Sequence, residues 1–399
     1  MTDPWDSFAQ DAGGEETAGY FEVAPRAGHR AGYAVSFLAP AEVRWVTPQT
    51  VPQDEGRYVE RFLRSGRECA AIGFLGFDAV GLFEPRLRRY PPGDPFPLGA
   101  FALVDHPTRA RVAPRPARRR RSTTIHPGRP LSDSLPRRAY GRSVRRLVEE
   151  IRNGEAYQVV LGHRRTWKRP TDLLERAGRL RASERFASFY YLRIGDFELI
   201  GATPESVVEV AGDRAYLSPI AGTLPRGARR KGRAPLAGDP KELAEHRMLV
   251  DLARNDLGSV ARAGTVRVLS REKVERYARL DHLVTRVGAR LRTGTGPWDV
   301  LAAAFPAGTV SGAPKIRATE LLRREEGSWR GPYAGTVGLL ESHGRANWAL
   351  AIRTGFAAGN RLYTAAAAGI VHRSEPQREF DETLAKLAHV ESTLVGAVR

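Results

Sequence analysis

Apolar and polar positions along this chain follow two different periods. Val144, Leu147, Val148 and Ile151 recur at i, i+3, i+4 and i+7, which lines one face of a helix. Gly154 follows where helices commonly end in a left-handed residue. From residue 157 to 161 the pattern changes to the alternation of a strand. A further strand is expected through residues 197–200, turning at Thr203 and Pro204. Upstream, residues 70–77 (AAIGFLGF) form a continuous apolar run with glycine turns, the pattern of a buried strand. Asp239 and Pro240 open a helix, the acid as cap and the proline in the first turn. Ser374 and Gln377 have the spacing of a capping box for the last helix. Strands and helices mix without strict βαβ alternation, which predicts an α+β fold.

Composition shifts divide the chain. Residues 1–20 are rich in Gly, Glu and Asp and are expected to be disordered. Residues 21–136 form an N-terminal part that ends in a Pro-, Arg- and Ser-rich linker over 113–136. The better patterned region is 137–399, and no internal repeat is visible. No apolar run reaches the length of a membrane span. Residues 1–10 are polar and acidic, unlike a signal peptide. A single cysteine, Cys69, excludes a disulfide framework or a zinc–thiolate cluster within the chain, so a cytoplasmic setting is expected.

The net charge of +18 raises the question of nucleic acid. The basic residues are mostly Arg and are spread along the chain, however, and the one dense run, Arg118–Arg121, has no interleaved aromatics. It reads as a solvated linker, and no nucleic-acid or membrane partner is expected.

Three constellations carry candidate chemistry. Glu242 and Glu245 share a helix face, and Glu379 and Glu382 repeat that spacing in the last helix, one turn before Lys386. Such pairs are usually surface decoration, but two acidic faces could meet around a hard cation such as Mg²⁺, which takes one or two carboxylates plus an anionic substrate. The run GTVSGAPK, residues 308–315, leads a small-residue loop into a helix. Its free N–H groups, with the Thr309 and Ser311 hydroxyls, could cradle an anion. Arg353 directly follows the apolar ALAI of residues 349–352, and a buried Arg needs an anionic partner.

The segments GEAYQVVL (154–161), GATPES (201–206), SPIAGTLPRG (218–227), KELAEHRMLVDLARNDLG (241–258), DHLVTRVG (281–288), FPAGTVSGAPKIRATELL (305–322), RGPYAGTVGLL (330–340), ALAIRT (349–354) and GIVHRSEPQREFDETLAK (369–386) carry a resemblance. Together they resemble the catalytic core of the chorismate-utilising enzymes, above all the large subunit (component I) of anthranilate synthase. Residues 73–84 (GFLGFDAVGLFE) resemble the family's N-terminal part more weakly.

The resemblance implies a large α+β fold of two packed sheets flanked by helices, chorismate as substrate and Mg²⁺ as cofactor. It implies that Glu245 and Glu382 hold the metal, with Glu242 and Glu379 nearby. Arg353 and Tyr333 would grip the enolpyruvyl carboxylate, and Lys386 and the Gly369 backbone would serve the other end. Glu205 matches the acid that protonates the departing C4 hydroxyl, and His282 a histidine near the same part of the ring. Thr223 and Thr309 match pocket hydroxyls.

Two positions narrow the chemistry. Gln158 stands where water-using members carry a lysine, and an amide cannot act as a general base. Ala221 stands where aminodeoxychorismate synthases carry a nucleophilic lysine. Ammonia remains as nucleophile, implying a separate glutamine amidotransferase partner. The expected product is anthranilate plus pyruvate, or 2-amino-2-deoxyisochorismate if the reaction stops early. The alternatives are an aminodeoxychorismate synthase, with a para-amino product, and an inactive paralogue that binds an amidotransferase.

The chain departs from the family at Ala367, where a glycine is usual. It is also shorter in the N-terminal part, where no LLES-type element of the tryptophan-inhibition pocket is found. Weak or absent tryptophan feedback is therefore expected, and these departures suggest a paralogue of specialised metabolism.

Overall fold

The computed structural model describes residues 3–25, 32–65, 68–88, 90, 93–113, 127–183, 186–225, 240–276 and 280–396. Of residues 221–225, 240–242, 276, 280 and 281 it describes the backbone alone. The first half runs α1 (Pro4–Asp11), β1 (Thr17–Val23), β2 (Gly32–Leu38), β3 (Glu42–Val46), α2 (Pro52–Leu63), β4 (Cys69–Leu75), α3 (Val80–Phe83), β5 (Gly99–Asp105), β6 (Thr108–Val112), β7 (Ser132–Asp133), α4 (Arg137–Arg152), β8 (Gln158–Lys168), α5 (Leu173–Ser183), β9 (Ser188–Ile194) and β10 (Phe197–Thr203). The second half runs β11 (Ser206–Ala211), β12 (Arg214–Leu217), β13 (Ile220–Pro225), α6 (Pro240–Gly258), β14 (Arg267–Arg276), β15 (Leu280–Arg290), α7 (Pro297–Ala304), α8 (Gly308–Ser311), β16 (Gly312–Ala313), α9 (Lys315–Glu326), β17 (Thr336–Glu341), β18 (Arg345–Leu350), β19 (Thr354–Ala358), β20 (Arg361–Ile370) and α10 (Pro376–Leu394).

The strands form two sheets, and the strand pairings are antiparallel. One has the order β16-β8-β20-β19-β10-β9-β1-β2-β6, with β7 beside β8. The other has the order β13-β15-β12-β11-β18-β17-β4-β5-β3, with β14 also beside β15. The expected α+β class is the observed one. Both sheets combine strands from before and after residue 136, with β1-β2-β6 ending one and β4-β5-β3 ending the other, so the N-terminal part extends the same two sheets as the rest.

Period-2 patterning explains how the first sheet separates two cores. On β9, Tyr190, Leu192 and Ile194 enter the main core, while Phe189 and Tyr191 enter a second one. That second core lies under α1, α5 and α10, with Trp5, Leu180 and Leu394 among its members. A strand buried on both faces must be nearly all apolar, and the run at residues 70–77 accordingly gives β4, in which every residue is buried. The helix read from Val144, Leu147, Val148 and Ile151 is α4, with all four buried, and Gly154 follows it at φ 85°.

Two expectations are corrected. Residues 3–20 are not a disordered tail: α1 occupies 4–11 and β1 begins at Thr17. Asp3 caps Trp5 N at 2.9 Å and ion-pairs with Arg181 at 2.7 Å, and Trp5 and Phe8 are buried. The composition was polar, but an Asp-Pro cap and two aromatics outweighed it. Ser374 does not cap α10. Its hydroxyl accepts from Val371 N at 3.0 Å, because Pro376 starts the helix one residue too late and leaves Glu375 as N-cap. The Arg118–Arg121 run lies outside the described residues.

Two of the chain's crossings between the sheets lie between β10 and β11 and between β18 and β19. The two crossings are tied together: Leu350 N donates to Glu205 O at 3.0 Å, and Ala202 N to Arg353 O at 3.4 Å. Backbone freed from a ladder at a crossing is where a fold can aim side chains between its sheets.

Candidate active site

Glu205 is the single residue between Pro204 and β11, and its position is fixed from the backbone outward. Its N–H is accepted by Thr203 Oγ1 at 3.3 Å, and its carbonyl accepts from Leu350. The side chain is buried. Thr309 on α8 donates through Oγ1 to Glu205 Oε1 at 2.7 Å. Burial pushes the carboxyl up from 4.5 to about 7, against the lowering pull of the Thr309 hydroxyl and the Lys386 charge. Near neutrality this group can hold or release a proton, as a general acid must. It borders a small cleft that is also lined by Thr309, Gly308, Leu252, Ala253 and Asp256.

Lys386 projects from α10. It donates through Nζ to the Ala367 carbonyl at 2.9 Å and pairs with Glu382 at 2.8 Å. Tyr333 takes a hydrogen bond from the Ala367 backbone, and burial pushes its phenol well up. Ala367 thus uses its main chain to connect two expected substrate-binding groups. Its methyl is buried in the main core, on the strand face it shares with Gly369.

Gln158 starts β8 beside the end of β20. Its Nε2 donates to Glu245 Oε1 at 2.8 Å. A Cβ on Gly369 would lie 2.6 Å from that nitrogen, so glycine there leaves room for the Gln158 amide. Three groups result: Glu205 with Thr309, Lys386 with Glu382 and, through Ala367, Tyr333, and Gln158 with Glu245 and Gly369; β20 connects the second to the third, and the Lys386 charge reaches Glu205.

Other expected residues stand differently. Ser311 is buried and spends its hydroxyl proton on Ala307 O at 2.9 Å, so it caps its own turn and does not offer that proton to an anion. Arg353 is half-buried at φ 52°, in the sheet crossing just past β18. The Arg expected to be buried after the apolar run is thus a half-buried one just past a strand's exit. His282 is buried on β15, where its backbone registers with Thr223 of β13 on one side and Glu275 of β14 on the other. The side chains of Ala221, Thr223 and Glu242 lie outside the described residues.

The fit to a hard cation rests on donor chemistry. Among the described residues no three His, Cys, Asp or Glu side chains are drawn together as a cage. Glu245 and Glu382 each keep a single-atom contact, to Gln158 and to Lys386. Glu379 and Glu382 both act on the buried Tyr140, so they share one neighbourhood. These are oxygen donors, and Glu382 is half-exposed. That suits Mg²⁺, which keeps waters and binds through one or two carboxylates plus substrate.

Sequence reasoning missed Arg330. It is fully enclosed, donating to Glu326 Oε2 at 2.8 Å, to Val310 O at 2.8 Å and to Val160 O at 2.7 Å. It thereby ties α8, β8 and the Tyr333 loop together. The signal was the i,i+4 spacing to Glu326, but that spacing suggests only a helix-surface pair until burial is known. His246, beside Glu245, was also missed. It is buried, contacts Thr285 Oγ1 through Nε2 at 2.6 Å, and burial lowers its pKa.

Comparison with known proteins bears on this geometry. A family model described as chorismate binding enzyme matches residues 30–392. The chain is 42% identical over 273 residues to 2-amino-4-deoxychorismate synthase of Streptomyces globisporus, covering 68% of this chain and 55% of that one. It is 37% identical over 378 residues to anthranilate synthase component 1 of Streptomyces coelicolor, covering 82% and 72%. The chain thus spans only a little over half the length of several curated relatives it matches. Anthranilate synthase component I from Streptococcus pneumoniae superposes with a TM-score of 0.77 at 28% identity, covering 92% and 94%.

Proposed function

This chain belongs to the chorismate binding enzyme family, and from that premise we propose that it is a lyase that aminates chorismate at C2 with ammonia. The observation that carries the reading is Glu205, a buried carboxyl at about 7 held by Thr309 at the crossing between the sheets. Loss of the C4 hydroxyl needs an acid that is still protonated near neutrality. Ammonia forms the new bond to C2, the ring diene shifts, and the C4–O bond breaks. Glu205 gives its proton to the departing oxygen, which leaves as water, and is reprotonated by the ammonium nitrogen as that becomes an amine. Loss of the enolpyruvyl group as pyruvate then yields anthranilate, and without that step the product is 2-amino-2-deoxyisochorismate.

The chain's other residues bind and orient. Tyr333 and Arg353 face the enolpyruvyl carboxylate in this reading, and Lys386 supports the other end and biases Glu205 toward its ionised form. Gln158 is engaged as a donor to Glu245, and as an amide it cannot deprotonate water, which supports amination over hydroxylation. Mg²⁺, held by Glu245 and Glu382 with Glu242 and Glu379 nearby, would neutralise the ring carboxylate when bound. The ammonia comes from a separate glutamine amidotransferase. Names of relatives on both sides of the early-stop question, an anthranilate synthase and a 2-amino-4-deoxychorismate synthase, support amination without choosing between the two end points.

The test is incubation with chorismate, Mg²⁺ and ammonium at pH about 8.5, which raises the free-ammonia fraction, with products resolved by chromatography and mass spectrometry. Anthranilate with pyruvate, or the ortho-amino intermediate alone, supports the reading and fixes the end point. A para-amino product would replace it with aminodeoxychorismate synthesis. No consumption of chorismate would leave the inactive paralogue.

A further inference from the structure

Thr309 reaches Glu205 from a segment that runs from the end of α7 to the start of α9. This segment has little regular structure of its own, only the single turn of α8 and the two residues of β16. Its two ends are nevertheless joined by one side chain. Lys315, the first residue of α9, donates through Nζ to Ala304 O, the last residue of α7, at 3.1 Å. The same nitrogen is 3.0 Å from both carboxylate oxygens of Asp256 on α6. Both side chains are largely buried, at 15% and 14% exposure. Asp256 lines the same cleft as Glu205 and Thr309. The segment is also packed tightly on α6, since a Cβ on Gly308 would lie 2.1 Å from Leu252.

A buried ammonium with three acceptors is costly unless it organises what surrounds it. Here it closes the loop at both ends and fastens it to the helix that forms the opposite wall of the cleft. We propose that Lys315, through Asp256 and Ala304, is a positioning residue that holds the Thr309 hydroxyl on Glu205. This rests on the reading of Glu205 as the acid. The charged groups facing Glu205 are Lys386 from α10 and, in the cleft wall of α6, Asp256 with its Lys315 partner. Lys315→Met leaves Asp256 unpaired and Asp256→Asn leaves Lys315 unpaired, so direct charge effects on Glu205 would be opposite in the two variants, whereas loss of the Thr309 hydrogen bond moves both the same way.

The experiment compares Lys315→Met, Lys315→Arg, Thr309→Val and the double variant T309V/K315M, with saturating free ammonia at each pH. K315M is expected to lower kcat by about tenfold with KM for chorismate changed by about twofold or less. Its alkaline limb should move up in pH as far as that of T309V, with no further movement in the double variant. K315R should restore most of the activity. Hydrogen exchange should rise in residues 305–314 of K315M and less so in K315R, a readout that does not depend on turnover. Should K315M fail to fold, Asp256→Asn loosens the same pair while keeping its shape and should shift the limb in the same direction. An unmoved limb with unchanged loop exchange overturns the proposal, as do additive shifts in the double variant. Full activity of Glu205→Gln would instead sink the acid assignment, leaving the exchange result to judge the loop staple by itself.

Discussion

Thr309 donates a 2.7 Å hydrogen bond to Glu205 across the gap between α8 and the sheet crossing. The bond joins a residue of the small-residue loop to the buried carboxyl of Glu205. Burial drives that carboxyl toward its neutral form, and the Thr309 hydroxyl and Lys386 pull it back, so the group is poised near 7.

Glu205→Gln is expected to lower kcat by ~10²-fold or more with a small effect on KM, since general acid catalysis is worth about that much. Wild-type kcat, corrected for free ammonia, should fall as pH rises through about 7. Steady-state pH profiles of both proteins check this, and a profile flat from 6 to 9 would count against Glu205.

The same carboxyl costs stability. Its folded pKa is raised above its ordinary 4.5, so between 4.5 and about 7 the folded state holds more protons and stability falls as pH rises through that window. Glu205→Gln should therefore be the more stable protein at pH 8, by about 3 kcal/mol, and about equal at pH 4. Chemical denaturation at the two pH values measures the difference.

Thr309→Val removes a donor to the carboxylate, so the Glu205 carboxyl should titrate higher. The alkaline limb of kcat is expected to move up by about one pH unit, the scale of a charge-assisted hydrogen bond. A limb that moves down would mean that Thr309 favours the protonated acid.

Ala367→Gly removes the methyl beside the main-chain atoms that serve Tyr333 and Lys386. KM for chorismate should fall severalfold with kcat little changed, at a cost of ~0.5–1 kcal/mol from the freer glycine backbone. Steady-state kinetics with a thermal melt tests both halves. An unchanged KM would show that the methyl points clear of the substrate.

Gln158→Glu would set a second carboxylate against Glu245, 2.8 Å from the atom it replaces. The variant should melt lower than wild type without metal and gain more from Mg²⁺, by about 2 °C or more. Chelation should abolish wild-type amination and Mg²⁺ restore it. Melting that is indifferent to Mg²⁺ in both proteins would remove Glu245 from the metal site.

The sequence alone was enough for the α+β class, for α4 and β4, and for the family, because apolar periodicity and motif order are properties of the chain read locally. It named Glu205, Thr309, Gln158 and Lys386 without showing that they share one neighbourhood. Those four positions lie up to 228 positions apart, from Gln158 to Lys386, and only the pairing of β8 with β20 and the crossing of the chain between sheets bring them together. Burial was equally illegible. Glu205, Arg330 and Lys315 look like ordinary surface charges in a string of letters. The low-dielectric surroundings that raise one carboxyl and oblige the two cations to find several acceptors each arise from residues far away in sequence. The disordered tail and the Ser374 cap were misread for the same reason in reverse: local composition suggested one outcome, and packing of Trp5 and Phe8, or the placement of Pro376, decided another.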